Sequence, residues 1–179
     1  NIEAREESGT PDIIGSVRIG LSLLLRERVT HNFILEKEEV MNKYIMNRLK
    51  AIPNLYIMGN TDKPRIPIYS FVIKFNGKLL HYNYVAALLN DLFGIQCRGG
   101  CSCASTYGQQ CLGLSEDYVE ELETIVCNGS EIFRPGYTRV NFPYFYDDSI
   151  IEYILNAIEF VAKHGWLFLS HYAFKIESG

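Results

Sequence analysis

"FGIQCRGGCSCASTYGQQCLG", residues 93–113, runs from the end of one element to the start of another within a single short stretch. Gly94 reads as the stop of a preceding helix. "IQCR" then has strand character, and Gly99-Gly100 permit backbone turns that a Cβ would forbid. A short helix is expected over about Ala104–Leu112. Cys101 and Cys103 therefore fall on a tight loop between a strand and a helix.

Helices and strands alternate irregularly on both sides of this loop. Upstream, "GTPDIIG" offers Thr10 as an N-cap with Pro11 at the first helical position, opening a helix over about Pro11–Arg28. That helix is apolar on most sides, which implies burial against more than one neighbour. A second, amphipathic helix is expected over about Phe33–Lys50, with Val40, Met41, Tyr44, Ile45 and Leu49 on its stripe. "IPNLYIMGN" and "RIPIYSFVIKFNGK" read as strands, followed by a helix over about Leu79–Phe93.

Downstream of the loop come a helix over about Glu116–Cys127, a strand at "YTRVNFPYF", and a helix at "DDSIIEYILNAIEFVAKHG" with an acidic start and a basic finish. "WLFLSHYAFKI" is expected to close as a strand or extended edge. The order predicts an α+β sandwich, a mixed or antiparallel sheet covered by helices, rather than a doubly wound sheet.

Composition narrows the function. The chain has 179 residues, 47% hydrophobic and 21% charged, enough for one real core. A net charge of -4 gives no electrostatic reason to expect nucleic acid or an anionic membrane as partner. No run approaches the roughly 18 apolar residues of a membrane span. Five cysteines, an odd number in a chain with a sizeable core, argue against a disulfide framework and for the cytoplasm or another reducing compartment.

The cysteine loop admits three readings. A thiol at Cys103, just before a helix and near Arg98, is favoured as thiolate and thus as a nucleophile. Small, buried, unreactive side chains are the ordinary fate of free cysteines. Cys97, Cys101, Cys103 and Cys111 could also hold a metal in a stand-alone binding module, but their spacing lacks the paired C-x2-C knuckles of zinc sites.

Three blocks, "EESGTPDIIGSVRIGLSLL", "FGIQCRGGCSCASTYGQQCLG" and "FRPGYTRVNFPYF", together resemble the C-terminal part of the class V aminotransferases, the pyridoxal phosphate (PLP) family that includes cysteine desulfurases and selenocysteine lyases. The closing "HGWLFLSHYAFKIESG" continues the likeness. The resemblance implies the small C-terminal domain of a fold type I PLP enzyme, with residues 1–30 as a helix leading from a large domain upstream and 31–179 as the small domain.

It also implies roles for particular residues. Gly9 and Thr10 match a Gly-Thr pair that reaches the cofactor phosphate of the other subunit, so a homodimer is expected. Arg139 matches the arginine that holds the substrate α-carboxylate, a task suited to a guanidinium fork. Arg98 belongs with it at the substrate. Cys103 falls where desulfurases carry the nucleophile that takes sulfur from a cysteine substrate and leaves alanine, for delivery to a sulfur-acceptor protein.

Two features depart from the family pattern. Cys101 and Ser102 occupy positions where the desulfurases with the most similar loop carry histidines. The cofactor lysine, which in the family follows a histidine, has no match: Lys163 precedes His164. The expected function is that of a cysteine desulfurase, with the 179 residues inactive alone; an aminotransferase or other PLP lyase with an inert Cys103 is the alternative.

Overall fold

The computed structural model describes residues 2–6, 9–100 and 105–177. Two compact units divide the chain, Asn1–Glu39 and Val40–Gly179. The first holds α1 (Ile2–Glu6), α2 (Ile13–Val29) and the beginning of α3 (His31–Lys50).

Helix α2 starts two residues later than expected. Asp12, not Thr10, is its N-cap: a carboxylate oxygen accepts the Gly15 N–H at 2.8 Å, and the Ser16 hydroxyl donates to the Asp12 carbonyl at 2.8 Å. A carboxylate both satisfies an orphan amide and complements the positive end of the helix, so it prevails over a neutral hydroxyl two residues earlier. None of the residues of α2 is buried; Leu21, Leu24 and Leu25 are each about 60% exposed. The burial expected from its all-round apolar character is not supplied within its own unit.

The second unit is built on an antiparallel sheet. Its strands are β1 (Leu55–Ile57), β2 (Ile68–Phe75), β3 (Lys78–Leu79), β4 (Arg98–Gly100) and β5 (Tyr137–Asn141). The order is β1-β2-β5-β4, with β3 paired to β2 off this path. Every described pairing is antiparallel, so the sheet is not mixed.

Alternation along the strands decides which side is covered. Tyr69, Phe71 and Ile73 of β2 and Val140 of β5 are buried in one apolar cluster with Met41, Ile45 and Leu49 of α3. The same cluster takes Val85, Leu88 and Leu89 of α4 (Tyr82–Phe93) and the apolar face of α7 (Asp148–His164). Arg48 ties α3 to α7, its guanidinium 2.6 Å from Glu152 Oε2 and 2.9 Å from Asn156 Oδ1. On the other side of the sheet lie α5 (Ser105–Leu112) and α6 (Glu116–Cys127), whose Leu122 and Val126 are buried beside Tyr137.

The chain's last apolar segment is not a strand. Gly165–His171 continues α7 as a 3-10 turn, because Gly165 keeps right-handed helical angles instead of the left-handed ones that would end the helix. Trp166 stacks on Phe75 with ring centroids 4.4 Å apart, and the Tyr84 hydroxyl donates to the Gly165 carbonyl at 2.6 Å. Tertiary contacts override an extended-looking pattern here.

Candidate functional site

Strand β5 runs between β2 and β4, and its register puts three side chains in one row. Ser70 lies opposite Arg139, and Arg139 lies opposite Arg98. Directly paired residues share a face of the sheet. The neighbouring pair Phe71 and Thr138 faces the helical core, so the Ser70-Arg139-Arg98 row points to the opposite side. Arg139 is partly buried there and Arg98 is exposed. Neither has a carboxylate partner among the described residues. Like charges directly opposite on a sheet are destabilising, and two unneutralised guanidiniums side by side make a strong place for an anion.

The glycines after Arg98 follow from what covers the other face of β4. Gly99 lies under α4, where a Cβ would come within 2.7 Å of Asn83 Oδ1 and 3.1 Å of the Tyr82 ring. Gly136 meets the same ring: a Cβ there would lie 2.5 Å from Tyr82 Cε1 and 2.9 Å from the Gly100 carbonyl carbon. Gly100 has φ +118, outside the range of an ordinary L residue. The Thr138 hydroxyl donates to the Tyr82 carbonyl at 3.2 Å, fixing β5 to the start of α4. Tyr82 therefore clamps the strand that leads into the cysteine loop.

Cys101 and Cys103 lie outside the described residues. Cys97, Cys111 and Cys127 are free thiols. Burial pushes the Cys97 thiol up to about 11, which leaves it protonated and inert at neutral pH. Cys97 packs against the helical core, whereas Cys111 lines a cavity on the opposite side of the sheet. A four-thiolate metal site that joined them would have to span the sheet.

In the first unit, Gly9 and Thr10 border a cavity of about 380 Å3 together with Asp12, Gly15 and Ser16. The Asp12 carboxylate already uses the Gly15 amide, so the end of α2 is spent on the chain's own anion. The Gly9 N–H and the Thr10 hydroxyl have no partner among the described residues, and these two donors fit a phosphate oxygen.

A second cavity, of about 360 Å3, opens on the arginine face of the sheet, and no local sequence pattern marks it. Arg65, Ser70, Tyr107, Cys111 and Tyr137 are among its walls. Arg65 sits in the "KPRIP" connection before β2, where a cation in an irregular segment gives no periodic signal.

Comparison with known proteins assigns the family. The profile of the Aminotransferase class-V family matches residues 1–116, more than half of the chain. The chain belongs to the class V aminotransferase family. Among curated proteins it is similar to cysteine desulfurases: 34% identical over 100 residues to one from Escherichia coli O127:H6, and 30% identical over 100 residues to one from Wigglesworthia glossinidia brevipalpis. It is 29% identical over 98 residues to a probable cysteine desulfurase of Borreliella burgdorferi. These matches cover 55–56% of this chain and span less than a quarter, 22–23%, of the relatives' length.

Proposed function

We propose that the chain is the C-terminal part of a PLP-dependent cysteine desulfurase that works as a homodimer. The observation that carries the proposal is the Arg98-Arg139 pair. It supplies two unneutralised guanidiniums on one face, at the root of the loop that bears Cys103. The likeness to cysteine desulfurases supports the same reading.

Each residue then has a task. Arg139, held mid-strand between β2 and β4, grips the α-carboxylate of an amino-acid substrate with two parallel charge-assisted bonds. Arg98, beside it, adds positive charge that favours a bound carboxylate and, five residues along the chain, a thiolate at Cys103. Gly9 and Thr10 hold the cofactor phosphate of the partner subunit. PLP, when bound, supplies the electron withdrawal that weakens the bond between the substrate's carbon and its sulfur.

The Cys103 thiolate attacks the substrate sulfur. A sulfur–sulfur bond forms and the carbon–sulfur bond breaks. The electron pair stays with the carbon, which takes up a proton to become alanine, and the persulfide on Cys103 passes its outer sulfur to an acceptor protein.

No lysine in the chain matches the family's cofactor lysine. Lys163, the one beside a histidine, donates to Glu159 at 2.5 Å on the exposed side of α7. The 179 residues alone are therefore inactive, and borohydride treatment with PLP should trap no single-site adduct.

The test is made on the full-length protein, by recording its visible spectrum and assaying sulfide and alanine release from cysteine with Cys103→Ala alongside. Sulfide that vanishes in the variant upholds the proposal. A PLP band with product unaffected by the substitution would favour an aminotransferase with an inert cysteine.

A further inference from the structure

Arg65 has features that a purely structural arginine lacks. It has no carboxylate partner among the described residues, yet it is held in one place. One terminal nitrogen donates to the Asn60 carbonyl at 2.8 Å. Its own carbonyl accepts from the Asn42 side chain at 2.7 Å, and its guanidinium carbon lies 5.7 Å from the centre of the Tyr69 ring. Tyr69 is itself pinned, its hydroxyl donating to Asn42 Oδ1 at 2.5 Å.

The Arg65 Nε is buried and has no acceptor among the described residues. A buried donor of a charged group left unpaired is costly. The fork is thus positioned and charged, with donor capacity unspent.

The cavity beside it is furnished for an anion. Ser70, Tyr107 and Tyr137 are among its lining residues, and among the described residues no acidic one lines it. Tyr107 lies over Gly59, where a Cβ would come within 2.9 Å of its hydroxyl oxygen. The hydrogen bond to Cys111 pushes the Tyr107 phenol up, while the positive charge of Arg65 pulls it down. Ser70 also stands opposite Arg139, so the cavity begins one strand away from the arginine pair.

We infer that this cavity is a binding site for a small oxyanion of the carboxylate or phosphate class, held by the Arg65 fork and the wall hydroxyls and separate from the Arg98-Arg139 pair. Planar carboxylates match a guanidinium edge through two parallel bonds, whereas a tetrahedral oxyanion also reaches hydroxyls on the facing wall. The inference does not depend on the desulfurase reading, because it concerns residues that reading does not use.

The experiment is a titration of the 15N-labelled 179-residue chain with malonate, with inorganic phosphate and with chloride, at constant ionic strength, followed by the Arg65 Nε–H signal and the Ser70 and Tyr107 amides. Saturable shifts of all three with malonate or phosphate are expected; the anion that saturates at lower concentration identifies the class. Arg65→Gln should weaken the response about tenfold or more. Ser70→Asp, which places a carboxylate in the cavity, should abolish it even if Arg65→Gln fails to fold. The absence of saturable shifts, an equal response to chloride, or undiminished binding in folded Arg65→Gln or Ser70→Asp would overturn the inference.

Discussion

Arg98 and Arg139 stand directly opposite one another on adjacent antiparallel strands, and among the described residues no carboxylate neutralises either. A sheet gains nothing from that pairing. Arg98→Gln should therefore leave stability unchanged or raise it by up to about 1 kcal/mol, by removing a like-charge cross-strand pair. Denaturant unfolding of the 179-residue chain measures this; a loss of more than about 1 kcal/mol would mean that the pair is structural.

The same relationship predicts a loss of turnover in the full-length protein. Arg139→Gln forfeits two charge-assisted bonds of about 1.5–3 kcal/mol each, so kcat/KM for an amino acid should fall roughly 10²-fold or more. Arg139→Lys should recover only part of it, because an ammonium cannot present a planar fork. Steady-state kinetics on both variants distinguish a carboxylate clamp from an arginine that merely fills the strand.

Tyr82 and Gly136 give a packing prediction. A methyl at Gly136 meets the Tyr82 ring and the Gly100 backbone at once, so the ring and β4 must both shift to admit it. Gly136→Ala should cost about 1–3 kcal/mol, and in the full-length protein it should slow turnover by displacing the root of the cysteine loop. Addition of Tyr82→Ala, which removes the ring, should relieve part of the clash in a double-mutant cycle.

His81 makes the fold sensitive to acid. Its Nδ1 accepts the Asn83 N–H at 3.3 Å at the start of α4, and its Nε2 lies 3.2 Å from the Ile132 carbonyl, which requires Nε2 to carry the proton. Burial lowers its pKa from the usual 6.5, opposed by the Ile132 contact. The unfolded chain therefore binds the extra proton first. Stability is fully present above pH 6.5 and declines as pH falls below it toward the folded-state value. Unfolding curves across this range should show the slope, and His81→Asn, which keeps a cap without an imidazole, should flatten it.

Helix α2 predicts the behaviour of the isolated chain. Leu21, Leu24 and Leu25, spaced to share one face of the helix, are each about 60% exposed. Such a surface drives association, so the 179-residue chain should bind a hydrophobic dye and sediment as more than a monomer. Leu21→Gln with Leu24→Gln should reduce both signals; a dye-free monomer would contradict the prediction.

Much of this was legible in the chain because local and tertiary preferences agree. The stripe of α7, the left-handed Gly94 after α4 and the β-branched run of β2 are specified by period and punctuation. The cap of α2 is not fixed by local pattern, because Thr10 and Asp12 are both good caps and only the folded geometry chooses Asp12. The 3-10 turn at Gly165–His171 is not legible locally, because Trp166 and Gly165 pack on Phe75 and Tyr84, far away in the chain.

At the site, Arg139 could be singled out through a resemblance, but its juxtaposition with Arg98 needed the strand register, which no local pattern encodes. Arg65 was invisible because its significance lies in what it lacks, a carboxylate partner.

The most direct measurement follows the sulfur itself. Full-length protein is mixed with cysteine in the absence of any acceptor, quenched, alkylated and digested, and the peptide that carries Cys103 is weighed. One additional sulfur on Cys103, formed together with alanine, is the expected result. Alanine formed while Cys103 remains an unmodified thiol would contradict it.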